Sequence, residues 1–170
     1  VINMLIDTHC HINTILRGYK TKSAYTELSH DEIKQTNAII EQASDNDIKS
    51  IINVGTDLIE SLTCIELAKI YNNCYAIVGI HPNDATQEWK NDLKKISSYV
   101  QSHAQHKIIG IGECGIDLHY DNYNLSRQQD AFKAQIELAL RYNLALSIHS
   151  RDASEETFKI IDQYSKEDNF

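Results

Sequence analysis

The sequence has 170 residues, 42% of them apolar, which is enough chain for one domain with its own hydrophobic core. No apolar run approaches the roughly 18 residues of a membrane-spanning helix, and Val1-Ile2-Asn3-Met4-Leu5-Ile6 lacks the cationic and long apolar segments of a secretory signal. The net charge of −8 gives no general attraction to nucleic acid. Any such partner must be held at a local site, with metal ions offsetting the charge. The four cysteines, Cys10, Cys64, Cys74 and Cys114, form no C-x-x-C pair, and a reduced, cytoplasmic compartment is the simplest expectation.

In chain order, residues 4–7 predict a first strand. Residues 14–26 read as a loop in which Arg17, Lys20 and Lys22 interleave with Tyr19 and Tyr25. Such a loop suits either solvent or a phosphate backbone with stacked bases. Ser29-His30-Asp31-Glu32 has the form of a capping box, and Ile33, Ile40 and Ala43 follow at helical spacing. A second strand is expected at 50–54. Asp57 to Glu60 carries cap chemistry ahead of Leu62, Ile65 and Leu67. A third strand is expected at 75–80, a helix between Glu88 and Ser102, and a fourth strand at 107–112. Ser126 is expected to open a helix with the stripe Phe132, Ile136, Ala139 and Leu140. A fifth strand at 145–148 precedes a last helix, with Asp152 as its expected cap.

The strand runs are short and rich in Ile, Leu and Val, as in strands buried on both faces of a parallel sheet. About five βα units with parallel strands suit either an open doubly wound sheet or part of a (β/α)8 barrel. The polar residues decide between them. Strand one runs into His9 and His11, strand three into His81, strand four into Glu113 and strand five into His149. In a barrel the C-terminal strand ends meet at one face, whereas an open sheet spreads them along a line. No G-x-G-x-x-G turn follows strand one, which removes the dinucleotide-binding alternative.

His9 and His11 are two residues apart, so on an extended strand they point the same way and both can ligate one ion. A carboxylate such as Glu113 at the end of an apolar strand is costly unless paired or metal-bound. His149 follows Leu146-Ser147-Ile148 in the same manner. His81, in Gly79-Ile80-His81-Pro82, fits substrate contact or a structural role equally well. His30, His103, His106 and His119 read as solvated surface.

The opening Met4-Leu5-Ile6-Asp7-Thr8-His9-Cys10-His11 resembles the start of the TatD-type metal-dependent deoxyribonucleases. So do Gly79-Ile80-His81-Pro82 and Ile111-Gly112-Glu113-Cys114-Gly115-Ile116-Asp117. The stretch from Gln128-Gln129 through Phe132 and Gln135 to Ile148-His149-Ser150-Arg151-Asp152-Ala153 continues the likeness in order. The resemblance implies a TIM barrel with two divalent ions (Mg, Mn or Zn) at its C-terminal face. By that resemblance His9 and His11 hold the first ion, Glu113 bridges both and His149 holds the second. His81 and Arg151 contact substrate phosphate, and the substrate is DNA, cleaved by a water that two ions activate. A later histidine and a later aspartate usually complete the two sites. Asn83 stands where the family often has another histidine, and Leu144-Ala145 where a proline is common.

A complete barrel needs about 250 residues. Residues 1–170 are therefore expected to be a single domain forming the N-terminal part of one, with an unpaired edge at strand five and weak activity alone. A second chain supplying the missing strands is a possible partner. Two alternatives are an amidohydrolase-type C–N hydrolase and a catalytically inactive metal-binding fragment. The absence of a lysine at the end of strand four argues against the amidohydrolase branch that uses a modified lysine bridge.

Overall fold

A computed structural model describes residues 4–18 and 24–165. Its centre is a sheet of five strands: β1 (Leu5–Cys10), β2 (Ile48–Val54), β3 (Cys74–Val78), β4 (Ile108–Asp117) and β5 (Ala145–Arg151). Every pairing is parallel and the spatial order is β1-β2-β3-β4-β5, the order in the chain. A doubly wound sheet reverses its strand order at a switch point. This one never does, so it is an arc of a barrel. Right-handed crossovers that always step in one direction place the connecting helices on one side of the sheet.

Those helices are α1 (Ile12–Arg17), α2 (His30–Asp45), α3 (Leu58–Ile70), α4 (Trp89–Val100), the short α5 (His103–His106), α6 (Leu125–Tyr142) and α7 (Ser154–Tyr164). The capping box at Ser29 forms in full, with the Ser29 hydroxyl accepting from the Glu32 amide and the Glu32 carboxylate accepting from the Ser29 amide. The Asp57 carboxylate caps α3 by accepting from the Glu60 amide at 2.8 Å. Two expected caps move. The α6 cap is Asn124, two residues ahead of Ser126, with its side chain accepting from the Arg127 amide. Asp152 does not cap α7: it lies at φ 53°, and its carboxylate pairs with His119 at 2.9 Å, leaving Ala153 at the cap position.

The core is continuous behind the middle strands. Val78, Ile108 and Ile111 pack against Ala68 of α3, Ile96 and Val100 of α4 and Ala139 of α6. Ile116 packs with Phe132, Ile136 and Ile160 under α6 and α7. Ile12, Ile51 and Leu67 close the β1–β2 end beneath α2. Among the described residues β1 pairs only with β2, and β5 only with β4. Large apolar side chains stand open on these two outer units, including Leu5, Ile6, Ile148 and Phe158.

β4 is longer than the expected 107–112 because two glycines carry it onward. Gly112 and Gly115 have φ of 134° and 146°, and a Cβ on either would collide with a β5 carbonyl, Ser147 or His149 respectively. Only glycine permits both the backbone angle and the close approach. The β4–β5 register shifts between Ile111 and Cys114, and this irregularity re-aims the Glu113 side chain.

Candidate metal centre

The strand ends converge at one place. On β1, the His9 amide donates to Asp7 Oδ1 at 3.1 Å. Just beyond β1, His11 Nδ1 lies 2.9 Å from the Val54 carbonyl oxygen. That contact makes Nδ1 the protonated nitrogen and turns Nε2 toward His9, whose own Nε2 is 3.2 Å away. The buried Asn53 side chain accepts from the Ile12 amide at 3.3 Å, which fixes the chain directly after His11. His9 Nε2 is also 3.4 Å from Glu113 Oε2. His9, His11 and Glu113 thus bring three ligand atoms within 4.8 Å of one another.

The other oxygen of Glu113 faces a second group. Glu113 Oε1 lies 3.0 Å from His149 Nδ1, and His149 Nε2 lies 3.0 Å from Asp117 Oδ2. The His81 ring stands edge-on to His149 with centroids 4.2 Å apart. His81, Asp117 and His149 again place their ligand atoms within 4.8 Å. Glu113 therefore lies between two donor groups, with one oxygen toward each.

Electrostatics follow from this crowding. The hydrogen bond from His149 holds the Glu113 carboxyl well below its usual range, against the opposing effect of burial, and His81 and His9 add to the lowering. The same bond to Glu113 raises His149, with burial opposing and Asp117 reinforcing it. Burial pushes Asp117 upward. The His119 amide, the Asn83 side chain and His149 outweigh it and leave the carboxyl low. Protonated imidazole and carboxylate neutralise each other here, and a divalent cation can take the proton's place. The donor set of imidazole nitrogens and carboxylate oxygens, with outer partners already fixing His11 and His149, fits Zn, Mn or Mg-type ions.

Two side chains of α6 hold the second group from behind. Gln135 is fully buried; its Oε1 accepts from the Ile80 amide at 2.8 Å and its Nε2 donates to the Ile80 carbonyl at 3.0 Å. Gln128, seven residues earlier on the same helix, accepts from the Asp117 amide and donates to the Asp117 carbonyl, both at 2.9 Å. Each glutamine satisfies a strand-end backbone as a neighbouring strand would, and so fixes His81 and Asp117.

Of the expected site residues, His9, His11, Glu113 and His149 come together. His81, expected against substrate, lies among the donors. Arg151 does not join them; its guanidinium lies 5.5 Å from the Tyr120 ring centroid. Asp117 received no role from the sequence, although it closes the motif around Glu113. Asn83 is its partner, donating Nδ2 to Asp117 Oδ2 at 2.8 Å. A polar residue two positions beyond His81 was the available signal. Neither reading of Arg17, solvent or phosphate backbone, holds. Its guanidinium is nearly buried and bonds Glu32, Thr63 and the Thr26 carbonyl, so it ties α1 to α2 and α3. Tyr25 donates to Glu66, while Tyr19, Lys20 and Lys22 lie outside the described residues.

A parallel β/α barrel arc with imidazole and carboxylate donors gathered at its C-terminal strand ends defines a barrel-type protein with a candidate metal centre. The chain belongs to the family described as TatD related DNase, whose profile matches residues 6–170. It is 32% identical over 164 residues to the uncharacterized metal-dependent hydrolase YabD of Bacillus subtilis, covering 96% of this chain and 57% of that protein. It is 29% identical over 131 residues to the 3'-5' ssDNA/RNA exonuclease TatD of Escherichia coli K12, covering 77% of this chain and 49% of that one. The crystal structure of YJJV, a TatD homolog from Escherichia coli, superposes with a TM-score of 0.80 at 24% identity, over 96% of this chain and 57% of that chain, and confirms the barrel-type fold. The chain spans about half the length of the curated relatives it matches. No helix among the described residues is long and apolar enough to cross a membrane, and all four cysteines are free.

Proposed function

We propose that this chain carries the front half of a two-ion phosphodiesterase site acting on single-stranded nucleic acid, DNA included. The observation that supports it is Glu113, one carboxylate with an oxygen toward each of two donor groups. In this reading His9 and His11 would hold the first divalent ion, Glu113 would be shared by both and His149 would hold the second, with His81 beside it. Two bound ions supply Lewis acidity, which acidifies a water and neutralises charge on a phosphodiester. The chain's own residues do the rest. The Val54 carbonyl and Asp117 keep His11 and His149 in the tautomers that present a lone pair to the ion. Glu113 stays ionised throughout, and Arg151 offers a guanidinium to a substrate phosphate. The exonuclease name of several relatives supports the substrate class, and the free thiols fit a reducing, cytoplasmic compartment.

The remaining length of the relatives gives the second half of the proposal. Further strands beside β1 and β5 would cover Leu5, Ile6 and Ile148 and bring the ligands still needed to complete each ion's shell. Activity of residues 1–170 alone is accordingly expected to be weak.

The test is calorimetric titration of the chain with Mn²⁺ and Zn²⁺, alongside Glu113→Ala. Two ions per chain are expected in the native sequence and at most one, bound at least about tenfold more weakly, in the variant. Unchanged stoichiometry in Glu113→Ala would remove the bridging assignment. Cleavage of a single-stranded oligonucleotide, compared with a cyclic amide, separates phosphodiester from C–N hydrolysis. Metal binding with neither activity would leave a non-catalytic metal protein.

A further inference from the structure

Beside the metal centre lies a cleft of about 350 Å³ that the two-ion reading does not use. Asn83 joins the two: it lines the cleft, and its amide also holds Asp117. The cleft's outer wall is the loop between β4 and α6, where the Tyr123 amide donates to the Tyr120 carbonyl and closes a turn. That turn carries two aromatic rings to the rim, with Tyr120 51% and Tyr123 44% exposed. Both rings line the cleft, and the Tyr120 ring also meets the His119 ring edge-on with centroids 5.1 Å apart. Arg127 enters from the first turn of α6 and donates to the Ala85 carbonyl at 3.4 Å, and Arg151 lies over the Tyr120 ring.

We infer that this cleft binds a nucleobase of the strand whose phosphate lies at the metal centre, with the base stacking on Tyr120 and Tyr123. The inference rests on the phosphodiesterase reading for its phosphate and adds the base-binding subsite. Three features select a nucleotide over a sugar or a peptide. Arg127 lines the cleft and Arg151 stands 5.5 Å from the ring centroid of Tyr120, which lines it too, so two guanidinium groups are placed to meet a phosphodiester backbone. Tyrosine rings stack on any base without regard to sequence, as a nuclease of broad specificity requires. The lining is mostly polar: the Asn122 amide can both donate to and accept from a base edge, and Asn124, whose oxygen caps α6, has its Nδ2 to donate. A base paired in a duplex cannot stack into such a cleft, so the subsite also favours single strands.

The experiment uses two small probes that share a phosphate and differ by the base: deoxyadenosine monophosphate and deoxyribose 5-phosphate. Each is titrated calorimetrically into the full chain with Mg²⁺ present, then into Tyr120→Leu and the Tyr120→Leu/Tyr123→Leu pair. The nucleotide is expected to bind at least about tenfold more tightly than the sugar phosphate. That ratio should fall toward one in the double variant, with affinity for the sugar phosphate retained. Both rings are half exposed, so the variants should keep the native thermal midpoint, which is measured on the same samples. A ratio of one in the native chain, or a ratio that survives the double variant, overturns the subsite. Equal competition by a neutral disaccharide overturns it as well, because the cleft would then be a carbohydrate site. Failure here leaves the bridging role of Glu113 intact, since the metal titration of Glu113→Ala decides that role separately.

Discussion

The two donor groups that meet at Glu113 are built in different ways. His9 and His11 sit at the end of an outer strand, and the His9 side chain is 43% exposed. Their positions follow from two neighbouring residues on one strand and a carbonyl on the next. His149, Asp117 and His81 come from three separate segments, and Asp117 is 1% exposed. Here α6 reaches across with Gln128 and Gln135 to hold two strand ends. The first group is local and near solvent; the second is long-range and integrated with the core. Damage to the second should therefore cost stability as well as metal, while damage to the first should cost metal alone.

Gln135→Leu is the strongest way to break that contrast. It leaves the buried Ile80 amide and carbonyl without partners, and each such group costs about 1–3 kcal/mol. A loss of about 3 kcal/mol is expected in urea titration, with an unchanged slope. His9→Ala, on an exposed position, should stay within about 0.5 kcal/mol of the native chain while weakening the first metal site. Equal destabilisation by the two substitutions would show that the groups are not built differently.

The same division explains what was legible in the sequence. His9-x-His11 was readable because the period of a strand is two, although His11 lies just past β1 and the Val54 carbonyl completes the aim of its ring. Glu113 was readable as a charge closing an apolar run. Asp117 was not, because its role depends on β4 continuing past Gly112. Glycine ordinarily signals the end of a strand, yet Gly112 and Gly115 here admit β5 to close contact. Arg17 misled for a related reason. A basic residue among lysines and tyrosines looks like a surface loop until α2 and α3 are folded around it. Asp152 had the chemistry of a cap, but His119, 33 residues away in sequence, claims its carboxylate.

Arg17 supplies the next test, at the β1 end. Its guanidinium bonds both oxygens of Glu32, at 2.7 Å and 3.4 Å. The Arg17 hydrogen bond lowers the Glu32 carboxyl to about 2, against burial and with help from the Ser29 amide. Its unfolded value is about 4.3. A carboxyl depressed by folding contributes stability that is complete above the unfolded value and is lost as the pH falls through the folded one. Arg17→Met should thus cost about 2 kcal/mol near neutral pH. The gap between variant and native chain should close as the pH is lowered from about 5 toward 2. A gap independent of pH would mean that the arginine acts through packing alone. Metal affinity should change little, because Arg17 touches none of the donors.

Ser29→Ala carries the smallest effect and sharpens the contrast most narrowly. The Ser29 hydroxyl satisfies the Glu32 amide in the first turn of α2, and loss of such a cap costs about 1 kcal/mol. The Ser29 backbone amide still donates to Glu32, and Glu32 still holds Arg17. The variant therefore removes one side of the capping box and leaves the ion pair in place. Thermal melting should fall by a few degrees, with the acid dependence of the native chain retained. Combined with Arg17→Met, the loss should fall short of the sum, because both substitutions act on Glu32, one at its amide and the other at its carboxylate. Strict additivity would separate the cap from the ion pair and make α2 a mere cover over the β1–β2 end. A shortfall would make Glu32 the joint through which the outer helix and the strand bearing His9 and His11 are held together.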